Sequence, residues 1–446
     1  MSVNEEIFFR YIPSERKKVY EFYRLRFDKS GCPMKSTSGG LVFHPLIPAY
    51  LIVDFINIYE KCSKRECLNF CISIASSALS RFTSVKDYTA YFYEQEDNLS
   101  YMPSRYYSAL TQAWYIKALT FLQEYSFPEK NICFKSLITN IYNSLLVPIP
   151  DGGVLNVMRY GCTVEEYPHN PPLYTLNGWL TVLRILKDSL PRLNKIGINV
   201  TEFFEQNLNA LANMLPLYDA SSYLNSRYQL TGFSRVRLVF DRDTEVNIHD
   251  FSINIPGEGK FSGSTSDSCV KNRWQNYLER QQGRLTQFNV VLSLISYPSP
   301  NSFSCSLTVE NDCEAKVYLA DGDYHPEFSA MPTHRWRQID SIKFLKGKNR
   351  CKFELPFNGK DLFAYPTNFK KCIDGVKYNI YHFVHVIALA ELYSFMPRNV
   401  FKDYALKWLD YTREWITLNS LSDENLSLLS YKYGNELYEK INRLVA

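Results

Sequence analysis

The chain has 446 residues, of which 46% are hydrophobic and 22% charged, and 50 basic against 46 acidic side chains leave a net charge of +4. That length excludes a single small domain, and the composition excludes a disordered chain, because it supplies enough apolar surface for a large core. A charge this small, spread without a long basic run, excludes a nucleic-acid binder that works by neutralising phosphates.

The amino terminus, MSVNEEIFFRYIPSERKK, carries two acids before any basic residue and no apolar run of signal-peptide length. The expectation is an unprocessed cytoplasmic protein. Its most apolar window, residues 45–59, is broken by Pro48 and Asp54, and no stretch approaches the roughly 18 apolar residues that suggest a membrane span. From there to about residue 215 apolar side chains recur at helical spacing. The pattern predicts helices over Ala49–Cys62, Glu66–Phe82, Tyr107–Tyr125, Cys133–Leu145, Tyr174–Leu190 and Val200–Leu215. Strand-like stretches interrupt them at Tyr88–Tyr93 with Tyr101–Tyr107, and at Gly153–Tyr160 running into Glu165–Pro168. Helix pairs separated by short hairpins suggest a ring or stack with the hairpins at one end.

After about Thr231 the period changes to two. Ser234–Phe240, Val246–Ile255, Phe288–Leu294, Phe303–Val309, Lys316–Leu319, Ser341–Leu345 and Arg350–Leu355 alternate β-branched and aromatic residues with polar ones. They read as an antiparallel sandwich. Helical spacing returns over Tyr378–Phe395, Phe401–Ile416 and Asp423–Leu444. The expected fold class is therefore α+β and multidomain: a discontinuous helical domain, residues 1–231 and 373–446, with a β-sandwich domain inserted at 232–372. The 33 Tyr, 29 Phe and 6 Trp suit surfaces that stack on sugars, and suit plain cores equally; in the insert Trp274, Tyr277, Phe303, Tyr318 and Trp336 are read as core. Eleven cysteines without a CxxC pair fit buried thiols. Cys62, Cys67 and Cys71 have no histidine near them, so no metal site is expected.

Four segments carry a family resemblance. Glu165-Glu166-Tyr167-Pro168, continuing to Leu176-Asn177-Gly178-Trp179, is the strongest. The others are Tyr106–Gln112, Met214–Asp219 and Tyr381-His382-Phe383-Val384-His385. In this order they resemble the glucuronyl C5-epimerase family, whose members convert D-glucuronate to L-iduronate within heparosan-type polysaccharides. The resemblance implies an (α/α) toroid for the helical domain, an acidic polysaccharide as substrate and a homodimer. It also implies that Glu166 and Tyr167 belong to the acid/base machinery, with a second tyrosine acting from the opposite face and an arginine holding the carboxylate. Two alignments supply that pair: Tyr228 with Arg227, or Tyr223 with Arg227. Tyr381 completes the expected catalytic set, and Tyr107, Gln112, Asn177 and His382 are expected to line the groove.

The chemistry explains the residue types. Inverting C5 removes a weakly acidic proton alpha to a carboxylate and returns one to the other face, so two acid/base groups must flank the ring while a cation offsets the enolate charge. A phenol near pKa 10 needs a positive neighbour to act as a base, and Arg227 or His382 could supply it. Direct proton exchange uses no hydride, so no cofactor is expected, and no GxGxxG or P-loop pattern occurs. As plain structure, Tyr381 and His385 share one helix face and fit packing, Tyr107 and Gln112 fit a helix start, and Asn177 and Asp219 fit structural hydrogen bonding. Two other functions are consistent with the same residues: a uronate polysaccharide lyase, which begins with the same proton abstraction, and a non-catalytic glycan-binding protein.

Overall fold

The structure is a computed structural model that describes residues 2–94, 103–125, 134–169, 172–221, 225–244, 246–255, 259–264, 280–281, 284–295, 301–321, 335–355, 372–373, 376–377, 381–417 and 439–445. The chain forms two compact units. The first comprises Met1–Tyr93, Tyr106–Leu155 and Thr181–Phe204, the second Glu94–Arg105, Asn156–Leu180 and Glu205–Ala446.

The first unit contains helices α1 (Val3–Tyr11), α2 (Ser14–Phe22), α3 (Leu46–Cys62), α4 (Arg65–Leu79), α5 (Ala109–Gln123) and α6 (Lys135–Ser144). Helix α1 begins on Ser2, whose side chain accepts the Glu5 N–H and satisfies one orphan donor of the first turn. Helix α3 packs against α4 and α5, burying Ile52, Phe55, Phe70 and Cys71, with the Phe55 and Phe70 rings 4.0 Å apart. Helix α2 is fastened to α3 through Asp54, which accepts from Arg16 at 2.8 Å and from the Tyr20 hydroxyl at 2.6 Å. Helix α7 (Leu176–Lys195) gives its first turn to the second unit, and α8 (Thr201–Tyr218) gives all but its first.

A hairpin of Leu155–Met158 and Gly161–Val164, in the second unit from Asn156 onward, precedes α7. Beyond α8 lie two larger antiparallel sheets. One has five strands in the order Arg280–Gln281, Arg284–Ile295, Thr231–Thr244, Cys313–Asp321 and Arg335–Phe344; the other has four, Gly259–Ser264, Val246–Ile255, Asn301–Val309 and Gly347–Leu355. Helices α9 (His382–Phe395) and α10 (Asn399–Thr417) then pack together as a pair.

This corrects the expected fold class. Among the described residues neither a toroid of helices nor a β-sandwich is evident: helices pack on near neighbours in the chain, as α3 does on α4 and α5 and α9 on α10, and the strands divide among several separate antiparallel sheets. The reason lies in what a hydrophobic period encodes. In Asn301–Val309 the alternate residues Phe303, Cys305, Leu307 and Val309 are buried, as a period of two requires. That period says one face is covered without saying by which element, and a helical stripe is equally silent about ring closure. No described helix is long and apolar enough to cross a membrane.

Candidate active site

The site is built around the amino end of α7. The strand Gly161–Val164 delivers two successive glutamates, and the first is consumed by structure. Glu165 is buried, taking the Tyr174 N–H on Oε2 at 2.9 Å and the Thr163 hydroxyl on Oε1 at 3.2 Å. Tyr174 has a left-handed backbone, φ 54°, which a non-glycine residue adopts only when neighbours hold it there. Here its carbonyl accepts the Tyr218 hydroxyl at 2.8 Å, and its own hydroxyl accepts from Asn156 at 3.1 Å.

Glu166 then lies directly on α7. A Cβ placed on Gly178 would stand 2.4 Å from Glu166 Oε2 and 2.6 Å from Glu166 Cβ, so the glycine of the Leu-Asn-Gly motif is the clearance that lets the carboxylate approach the helix. Although part of the residue reaches solvent, Oε2 is sealed and has no hydrogen-bond partner among the described residues. Burial pushes the Glu166 carboxyl up to about 7, against the pull of a hydrogen bond from Tyr167. Such a carboxyl is poised between its two forms near neutral pH, where it can both take and return a proton. Thr175 Oγ1 and Asn177 Oδ1, at the same helix end, are also buried acceptors without partners among the described residues.

Residues 227–230 return alongside this helix end. Tyr228 O accepts the Leu176 N–H at 2.8 Å, the Leu230 N–H donates to Leu173 O at 3.1 Å, and the Arg227 N–H donates to Tyr218 O at 2.7 Å. Arg227 is buried. The Tyr228 ring stacks on Tyr381, centroids 5.4 Å apart and planes at 28°, and both residues are half-buried.

A buried histidine pair anchors this arrangement. His382 Nε2 lies 2.8 Å from Trp408 O; a carbonyl only accepts, so Nε2 carries the proton and Nδ1 is the acceptor. His382 Nδ1 receives the Ser226 N–H at 3.0 Å and faces Ser226 Oγ at 2.7 Å, and that same Oγ is 2.7 Å from His385 Nδ1. Burial pushes His382 down to about 4, and burial together with His382 pushes His385 down as well. Both are therefore neutral at pH 7, and His382 supplies no positive charge to a tyrosinate; of the two sources considered, only the Arg227 guanidinium stays charged. Asp219 completes the support, accepting from Lys407 at 2.6 Å, Trp408 Nε1 at 3.0 Å and the Tyr411 hydroxyl at 2.9 Å.

Of the residues singled out in the sequence, Glu166, Tyr167, Asn177, Arg227, Tyr228, Tyr381 and His382 all belong to the second unit and gather at this helix end through the contacts above. Tyr107 and Gln112 belong to the first. There the Tyr107 hydroxyl donates to Ser144 O at 2.7 Å, while Gln112 donates to Thr89 O and Ser144 Oγ and accepts the Tyr91 N–H. Tyr223 lies outside the described residues, as do Trp274 and Tyr277. Sequence reasoning missed Ser226, because no local pattern marks a hydroxyl whose partners come 156 and 159 positions later.

Residues 84–242 match the family described as the D-glucuronyl C5-epimerase C-terminus, which bears out the resemblance over that stretch. It holds Glu166, Tyr167, Asn177, Arg227 and Tyr228, while Tyr381 and His382 lie beyond it. No curated protein matches the chain. At the level of the family, the match supports an epimerase, that is, an isomerase.

Proposed function

We propose that the chain is a glucuronyl C5-epimerase that converts D-glucuronate to L-iduronate within an acidic, heparosan-like polysaccharide. The observation that carries this reading is Glu166: a sealed carboxyl oxygen without a hydrogen-bond partner among the described residues, poised near pH 7, beside Tyr167 and on the helix end where Tyr228 and Tyr381 stack. In the reaction the C5–H bond breaks and its proton passes to Glu166, with Tyr167 steadying the carboxylate. The electron pair spreads into the substrate carboxylate, where the Arg227 guanidinium offsets the growing charge. A phenol of the Tyr228–Tyr381 pair then gives a proton to the opposite face of C5, forming the new C–H bond. No electrons leave the sugar, and the exchange needs no redox partner.

Incubation with heparosan in deuterated water, followed by NMR and ultraviolet absorbance, tests this. Deuterium at C5 without an unsaturated product is the expected result. An unsaturated-uronate chromophore would make the protein a lyase instead, and neither signal would leave it a glycan-binding protein.

A further inference from the structure

The hairpin before Glu166 and helix α8 line an open groove of about 550 Å³ that the proposed reaction does not use. We propose that this groove is a second binding site, which holds an acidic sugar of the same polymer some units away from the one at Glu166. The inference rests on the epimerase reading for its substrate class, and on separate residues for its evidence.

The lining has the chemistry of a uronate. Arg159 and Tyr160 come from the hairpin, and Gln206, Asn209 and Asn213 from one face of α8, at spacings of three and four that align them along the helix. No lining residue is acidic. The Arg159 guanidinium lies 5.6 Å from the centroid of the Tyr160 ring, and Tyr160 is 48% exposed, so a cation and an aromatic face are offered together. A second guanidinium reaches the rim: Arg398 Nη1 donates to Asn209 Oδ1 at 2.6 Å, which commits that oxygen and turns the amide donors of Asn209 elsewhere. Asn213 donates to Asn209 O at 2.8 Å and keeps its own carbonyl oxygen as an acceptor. Guanidinium for carboxylate, amides for hydroxyls and a ring for the sugar face form a complementary set. A nucleic acid would demand more cations than two.

The groove is also preformed. At Gly161, φ 136°, a Cβ would meet Gln206 O at 2.1 Å, so the hairpin backbone rests directly on α8 and only glycine permits it. Asn207 fixes the same junction, donating to Cys162 Sγ at 3.2 Å and accepting from Trp179 Nε1 at 2.8 Å. A site built on rigid elements loses little free energy to ordering when it binds. Gly161 and Glu166 are five positions apart, at most about 17 Å at strand rise, a distance that a few units of a linear glycan cover.

The test uses the full chain carrying Arg159→Ala and Asn213→Ala together, with its melting temperature checked against wild type. Affinity is measured calorimetrically for long heparosan and for a heparosan disaccharide, which is too short to span both sites, and C5 deuterium exchange is followed on the disaccharide. Long-polymer affinity should fall about tenfold, as loss of a charge-assisted contact implies, while exchange on the disaccharide stays at the wild-type rate. Carboxyl-reduced polymer, which also loses its contact with Arg227, should bind wild type at least as weakly as native polymer binds the variant. Unchanged long-polymer affinity, or equal binding of the carboxyl-reduced polymer, overturns the proposal. If wild type shows Arg159-dependent binding without C5 exchange, the second site stands and the epimerase reading falls; exchange without any affinity loss in the variant gives the reverse.

Discussion

Gly178→Ala separates the stability of the fold from the geometry of the proposed site. Gly178 is the third residue of α7, and its φ is not left-handed, so alanine is acceptable to the backbone and gains up to about 1 kcal/mol of helix propensity. Against that, the new methyl group would stand 2.4 Å from Glu166 Oε2 and 2.6 Å from Glu166 Cβ, where ordinary contact begins at 3.4 Å. Crowding of this kind costs about 1–3 kcal/mol, which leaves a net loss of about 0–3 kcal/mol and a protein that still folds. The clash is relieved only if Glu166 retreats by about 1 Å, and a misplacement of that size at a reacting group costs roughly a hundredfold in rate. C5 deuterium incorporation on heparosan should therefore fall about a hundredfold while thermal melting followed by circular dichroism shifts by only a few degrees. Exchange within threefold of wild type in a folded variant would show that the contact between Glu166 and α7 does not position the base.

Three further predictions follow from the same geometry. Glu166 titrates above its ordinary value, so its contribution to stability is fully present below about pH 4.5 and is lost as pH rises through about 7; Glu166→Gln should accordingly be more stable than wild type at pH 8, by at most about 3 kcal/mol, with C5 exchange abolished, and denaturant midpoints at pH 5 and 8 that shift equally in both proteins would contradict this. Tyr228→Phe and Tyr381→Phe keep the stacked rings but lose their hydroxyls, so each should melt like wild type and lose at least about a hundredfold in exchange; two near-wild-type rates would move the second acid/base group elsewhere. Ser226→Ala leaves both His382 and His385 short of a buried partner and should cost about 1–3 kcal/mol in urea denaturation, whereas a loss below about 0.5 kcal/mol would mean the hydroxyl bears no weight.

The helical period located α3 to α8 and most of α9 and α10, because each buries a stripe of its own residues. It passed over α2, where SERKKVYEF buries only Tyr20, since one aromatic cannot make a period. The alternating strands after Thr231 were legible for the same local reason, but their division between two sheets was not, because partner choice depends on residues up to 83 positions away, as in the pairing of Thr231 with Ile295 and of Val236 with Leu319. In the site, Glu166, Tyr167 and Gly178 stand close together in the chain and were readable as one block. What was not readable is which glutamate is spent: only the Tyr174 N–H at 2.9 Å and the Thr163 hydroxyl show that Glu165 is structural. Likewise nothing in the Tyr106–Gln112 segment reveals that Tyr107 and Gln112 turn inward, since spacing fixes the face of a helix but not what waits beneath it.

The long separation between Ser226 and its histidines has a consequence during synthesis. At roughly 5–20 residues per second, about ten to forty seconds pass between the emergence of Ser226 and that of Trp408 and Tyr411. Throughout that interval Glu166 already has Gly178 and the start of α7 to rest on, and Arg227 and Tyr228 already have their backbone bonds to Tyr218 and Leu176, whereas Tyr381, which stacks on Tyr228, has yet to emerge. The strands between 231 and 355 must pair in the meantime, and such non-local pairing is slow. A nascent chain stalled anywhere between residues 231 and 380 therefore holds half of a site, with a carboxylate in position and an aromatic ring awaiting the one that will cover it.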